Sequence, residues 1–170
     1  MRTIATGILQ KEYTLVSEHT VAAVWFNNHN KHHSLHAMQH FEPGEKITAF
    51  SAAAVLCNPT YLTIQVGLNR HITLFPGYLQ YTNHSCDPNV FFDTTAMQLT
   101  CLQLIEPGDE MRFFYPGTEW EMSQPFVCNC GSNHCLQLIN GASGLSAETL
   151  ARYKLTDFIR HQLRTLQSKG

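Results

Sequence analysis

Charge is scarce in this sequence. Asp, Glu, Lys and Arg together make up 14% of its 170 residues, and the formal net charge is −2. No Lys- or Arg-rich face stands out, which argues against nucleic acid as a main partner. Long apolar runs are missing too. With no unbroken apolar span of about eighteen residues, no membrane helix is expected, and Met1 to Glu12 has no stretch suited to a signal peptide. These absences predict an intracellular protein, cytoplasmic or nuclear, with neither nucleic acid nor membrane as partner; they leave the oligomeric state open. Cysteines in such compartments stay reduced. What the chain does have is 44% apolar residues, enough for one well-packed domain.

The pattern along the chain is mainly β. Tyr13 to Val16 and Val21 to Phe26 read as a strand pair, from their β-branched and aromatic content. Further strands are predicted at Tyr61 to Val66, Ile72 to Phe75 and Met97 to Leu104, with a brief helical turn at Ser51 to Cys57 ahead of Pro59. Two phrases rhyme, Phe41-Glu-Pro-Gly-Glu-Lys-Ile47 and Ile105-Glu-Pro-Gly-Asp-Glu-Met111, each with Pro-Gly at the centre of a turn. Five histidines lie between His29 and His40. A helix would bring His29, His33, His36 and His40 to one face, where they could hold a metal; an extended segment makes them polar edge residues, and the flanking residues favour the extended form. In the tail, Ser146 is a candidate N-cap. Leu155, Phe158, Ile159, Leu163 and Leu166 trace an apolar stripe, predicting a helix from about Ala147 to Gln167.

Two stretches carry chemistry. Tyr81-Thr-Asn-His-Ser-Cys-Asp-Pro-Asn89 packs an amide, an imidazole, a hydroxyl, a thiol and a carboxylate between strand-like flanks. Asp87-Pro88-Asn89 favours turns, so an elaborate turn is one reading and a site is the other. Cys128, Cys130 and Cys135 form C-x-C-x4-C, and thiols so spaced can converge on one tetrahedral ion. A structural zinc needs a fourth ligand. Cys101 reads as core and Cys57 has no neighbouring ligand; His134 is available, and Cys86 is the economical choice.

Taken together, Asn83 to Asn89, Glu106 to Tyr115 and the cysteine triplet resemble the SET-domain protein-lysine methyltransferases with a post-SET zinc motif, over about Ser34 to Asn140. The resemblance implies a mainly β fold with short helices, several small sheets around a knot-like segment, plus the C-terminal helix. It also implies a division into a SET-like domain (1–125), a post-SET zinc motif (126–142) and a helical extension (143–170). By the same likeness Asn83, His84 and Ser34 would contact S-adenosylmethionine, and Tyr115 would be the active-site tyrosine. Phe113 and Tyr81 would line the substrate channel, Phe113 at the position that adjusts how many methyl groups the channel accommodates. Cys86 would join Cys128, Cys130 and Cys135 on a structural Zn2+.

The chain departs from the family at three places. His32-His33-Ser34 stands where a Gly-x-Gly is usual, Gln80 where arginine is common, and Leu136-Gln137 where glycine often occurs. The function implied is methyl transfer from S-adenosylmethionine to a lysine amine of a protein or peptide, or conceivably of a small molecule. Two alternatives use the same features: a SET-fold enzyme repurposed for another reaction of a small metabolite, such as cyclisation, and a non-catalytic zinc-stapled interaction module.

Overall fold

Alternating apolar positions, broken every few residues by Pro, Gly or Asn, allow only short strands, and thirteen are found among the described residues. The computed structural model describes residues 12–168, so all but Glu12 of the N-terminal stretch weighed for a signal peptide lies outside the described residues. Strands β1 (Tyr13–Glu18), β2 (Ala22–Asn27) and β3 (His33–Ala37) form an antiparallel sheet in chain order. The histidine segment is therefore extended, with β3 at a sheet edge. His36 accounts for itself locally, its ring bonding Ser34 Oγ (2.9 Å) and the Gly108 carbonyl (2.9 Å).

A second sheet takes β4 (Lys46–Ala49), β9 (Val90–Asp93) and β10 (Gln98–Cys101) in the order β4-β10-β9. A third takes β5 (Ser51–Leu56), β6 (Ile64–Gly67) and β7 (Arg70–Phe75) in the order β5-β7-β6. Strand β5 corrects the helical turn expected at Ser51 to Cys57. Six alanine-rich residues are too few for a helix to persist alone, and pairing with β7, from Ser51↔Phe75 to Leu56↔His71, decides the conformation. The strand expected from Tyr61 begins only at Ile64. The one expected from Met97 to Leu104 is shortened to Gln98–Cys101, because Met97 turns at φ 53°.

The two Pro-Gly phrases are equivalent corners that meet. Phe41 and Ile105 form an antiparallel bridge, and Gly44 (φ 92°) and Gly108 (φ 96°) occupy the left-handed position of each turn, the position of a type II turn that suits glycine. In both, a carboxylate three residues on caps the turn: Glu45 accepts from Glu42 N–H, and Asp109 from Glu106 N–H. Between them lies the main core, centred on Val24, Leu35, Ile72, Leu79, Phe92, Leu99 and Met111, all fully buried.

Two smaller apolar clusters follow along the chain. One gathers Cys86, Cys128 and Ile139 beside the pair β12 (Phe126–Val127) and β13 (Leu138–Ile139). The other gathers Phe114, Leu150, Leu155 and Ile159 under the C-terminal segment. The single tail helix expected from Ala147 is two: α1 (Ala147–Leu150), capped by Ser146, and α2 (Asp157–Gln167), capped by Thr156. The Thr156 hydroxyl captures the Ile159 N–H, and this second cap restarts the helix. Between the two, Tyr153 stacks on Phe114 with ring centres 3.6 Å apart. No helix of the described residues is long and apolar enough to cross a membrane.

Gly141 ties the tail to the body. At φ 106° it sits where a Cβ would lie 2.5 Å from the Trp120 carbonyl oxygen, beside the bond from Ala142 N–H to the Glu119 carbonyl (2.9 Å). Strain and overpacking add at such a place, so Gly141→Ala is expected to cost about 2–5 kcal/mol. Urea unfolding checks this, and a loss below about 0.5 kcal/mol, the range of ordinary surface changes, would count against the close approach.

Candidate active site and thiol centre

The polar segment is stitched into the body by its own side chains. Strand β8 (Asn83–His84) runs parallel to β11 (Arg112–Phe113), and Ser85 N–H and Asn89 N–H donate to the carbonyls of Phe113 and Arg112. The Asn89 amide acts twice, accepting from Arg112 N–H (2.8 Å) and donating to the Glu110 carbonyl (2.9 Å). Asn83 Nδ2 spans to the His33 carbonyl and to Glu110 Oε1, both at 2.9 Å. This segment is therefore more than a turn, because it joins β3 to β11.

Immediately beyond Asn83–His84 the thiols converge. The sulfurs of Cys86, Cys128, Cys130 and Cys135 lie within 4.8 Å of one another, and among the described residues no other His, Cys, Asp or Glu group is so placed. Four sulfurs at about 2.3 Å from one zinc ion are about 3.8 Å apart, so the set fits such an ion with small side-chain adjustments. Cys101 is buried in β10 and Cys57 is exposed, and neither approaches the cluster. Burial pushes the Cys86 thiol up to about 11 and Cys128 upward as well. At Cys130 burial is outweighed by hydrogen bonds from the segments of Cys86 and Ser132, which bring it down to about 6. A divalent cation would make all four thiolates.

His84 links the thiols to the tyrosine. Its Nδ1 accepts from Tyr115 N–H (3.2 Å), and its Nε2 faces Cys86 Sγ at 3.4 Å. Burial lowers its pKa to about 4, so the ring is neutral, and Nε2 carries the proton toward the sulfur. That is the supporting contact a metal thiolate needs.

A cleft of about 880 Å³ opens beside this arrangement, lined among others by His33, Tyr81, Asn83, His84, Phe113 and Tyr115. Its size is that of a small-molecule site. Aromatic rings cluster on one side of it: the Tyr115 ring lies 4.7 Å from Phe113 and 5.9 Å from Phe126, centre to centre. The Tyr115 hydroxyl points to the Thr82 carbonyl at 3.4 Å, and burial drives its pKa far up, so it remains a hydrogen-bond donor. At the matched Gly-x-Gly position His33 lines the cleft, its ring held between Phe26 (5.0 Å) and Tyr81 (4.7 Å). Ser34 is the one expected contact outside the lining. Its hydroxyl bonds His36 behind the cleft wall.

The structure adds residues that sequence reasoning missed. Glu110 holds the Asn83 amide, Thr82 supplies the carbonyl facing the tyrosine, and Glu119 is a buried carboxylate in the cleft wall. Burial lifts Glu119 from 4.5 to about 7, against the pull of hydrogen bonds from Gln65 N–H and the Thr118 hydroxyl. Folding therefore favours its protonated form; the stability this contributes is lost as pH rises through about 7.

No family model matches the chain. Among curated proteins, Methyltransferase flvH of Aspergillus flavus is 42% identical over 106 residues, 61% of this chain and 59% of that protein. The chain thus matches about three fifths of the relative's length. Among solved structures, KRYPTONITE in complex with mCHG DNA and SAH is 17% identical and matches with a TM-score of 0.50, over 62% of this chain and 26% of that one. The chain is a SET-fold protein, mainly β with several small sheets, short helices and a C-terminal helix. Its four converging thiols could bind zinc.

Proposed function

We propose that this chain transfers a methyl group from S-adenosylmethionine to an amine, a lysine side chain of a protein or peptide being the acceptor that the SET resemblance implies. The observation that carries this reading is the convergence of Asn83, His84, Phe113 and Tyr115 on one aromatic cleft, directly against the thiol cluster. A methyltransferase-named relative over the shared 106 residues supports it. In the proposal Asn83, His84 and the segment His32-His33-Ser34 hold the cofactor. Tyr81 and Phe113 form the channel, and the four cysteines carry a structural zinc. The three-part division at 125 and 142 belongs to the same proposal.

The residues suit the chemistry. S-adenosylmethionine would supply an electrophilic methyl on a sulfonium, and aromatic faces attract such a cation. Displacement at carbon needs donor and acceptor in line, so positioning supplies most of the rate. The Tyr115 hydroxyl and the Thr82 carbonyl, 3.4 Å apart, offer polar contacts at one point of an apolar wall. A dry channel also favours the neutral, nucleophilic amine.

Calorimetric titration of the zinc-loaded protein with S-adenosylmethionine tests the reading. Binding in the micromolar range, competed by S-adenosylhomocysteine, is expected. Absence of heat together with absence of competition would remove methyl transfer and leave the repurposed enzyme or the interaction module.

A further inference from the structure

Glu119 is only 7% exposed, yet nothing in the packing requires its charge. One oxygen, Oε1, accepts from Gln65 N–H (2.8 Å) and from the Thr118 hydroxyl (3.1 Å). Among the described residues Oε2 receives no hydrogen bond and no basic side chain pairs with the carboxylate. A glutamine would satisfy the same two donors through its carbonyl oxygen without the cost of burying an unpaired charge. The position also matters. Glu119 N–H bonds the Tyr115 carbonyl (2.9 Å), so one turn carries both residues. Both line the cleft.

We infer that Glu119 binds the ammonium group of the incoming amine and takes its proton before methyl transfer. This rests on the methyl-transfer reading above. The ammonium N–H bond breaks, its electron pair stays on nitrogen, and the proton passes to Glu119 Oε2. The nitrogen pair then forms the bond to the methyl carbon of the sulfonium donor while the carbon–sulfur pair returns to sulfur. The ammonium pairs with the ionised carboxylate on binding, and a carboxyl raised to about 7 is matched to accept its proton near neutrality before the methyl is transferred. The other ionisable groups lining the cleft are Lys31, His32, His33, Tyr61, Tyr81, His84, Glu110, Arg112, Tyr115, Cys128 and Cys130.

The test uses n-butylammonium as probe and 1-butanol as its neutral counterpart, titrated into the zinc-loaded full chain and its Glu119→Gln variant. The variant should lose at least about tenfold in butylammonium affinity, with butanol and S-adenosylmethionine binding unchanged. In the wild type, butylammonium affinity should rise with pH through about 7; in the variant it should be flat. On wild-type protein alone, carbon NMR of the Glu119 carboxyl should show its titration moving down by about one unit or more when butylammonium is added, a readout that survives any folding failure of the variant. Equal butylammonium affinity in both proteins, or an unmoved carboxyl titration, would overturn the inference while S-adenosylmethionine binding still supported methyl transfer. The converse, a Glu119-dependent amine site without S-adenosylmethionine binding, would keep the amine site and remove methyl transfer.

Discussion

Cys86→Ser is expected to strip the protein of its metal and of the tail's anchorage in one change. Wild-type protein prepared without chelator should carry about one zinc per chain, and the variant less than about a tenth of that after brief dialysis against a weak chelator. The sulfur at 86 is buried and belongs to the four-thiol cluster, and a serine oxygen is both shorter in reach and a poorer zinc ligand. Losing the ion leaves three thiols without the charge that would hold them, and the pair β12–β13 rests on that cluster. The damage should spread further, because Tyr153 donates its hydroxyl to the Cys86 carbonyl (3.0 Å) while stacking on Phe114. A stability loss above about 4 kcal/mol is expected, the range that loss of a metal reaches. The exposed Cys57 supplies the control, since Cys57→Ser should change stability by no more than about 0.5 kcal/mol. Full zinc content and an unshifted melting temperature in Cys86→Ser would mean that these sulfurs only pack.

The site was legible where its chemistry is local in sequence. Asn83 to Asn89 spends its polar groups on fixed neighbours, Asn83 on His33 and Glu110 and Asn89 on the strand after the second corner, so its density of polar groups marks a junction. The spacing of Cys128, Cys130 and Cys135 is likewise a property of one short loop. The SET-type architecture followed from these pieces and from the two Pro-Gly corners, which prove to be bridged partners. Glu119 was hidden for the opposite reason. Thr118-Glu119-Trp120 has no spacing of its own to betray a site, and the carboxylate becomes unusual only once Gln65, more than fifty residues earlier, closes over it. Long-range pairing also decided Ser51–Leu56, where alanine's helical preference gave way to a strand partner. The tail breaks at Thr156, an N-cap in the middle of the span expected as one helix. Ser34 lies outside the cleft lining, its hydroxyl bonded to His36.

Tyr115→Phe should separate chemistry from binding more sharply than any other single change. The hydroxyl makes one long contact, 3.4 Å to the Thr82 carbonyl, so removing it should leave stability within about 1 kcal/mol. The ring would keep its packing against Phe113, His84 and Phe126, and with it the aromatic surface offered to the sulfonium. S-adenosylmethionine affinity should therefore stay within about twofold. Turnover, followed as S-adenosylhomocysteine released in the presence of an amine substrate, should fall by about 10²–10³, the usual consequence of deleting one preorganised donor from a transition state. A fall in kcat at constant KM would place the hydroxyl's contribution in the transition state alone. Normal turnover would refute the role. The pH profile adds an independent reading, because burial keeps the Tyr115 phenol protonated across the working range, whereas the Glu119 carboxyl changes charge near 7. A limb near pH 7 should thus persist, at lower rate, in Tyr115→Phe and vanish in Glu119→Gln. Loss of that limb in the tyrosine variant instead would tie it to the Tyr115 hydroxyl rather than to the carboxylate.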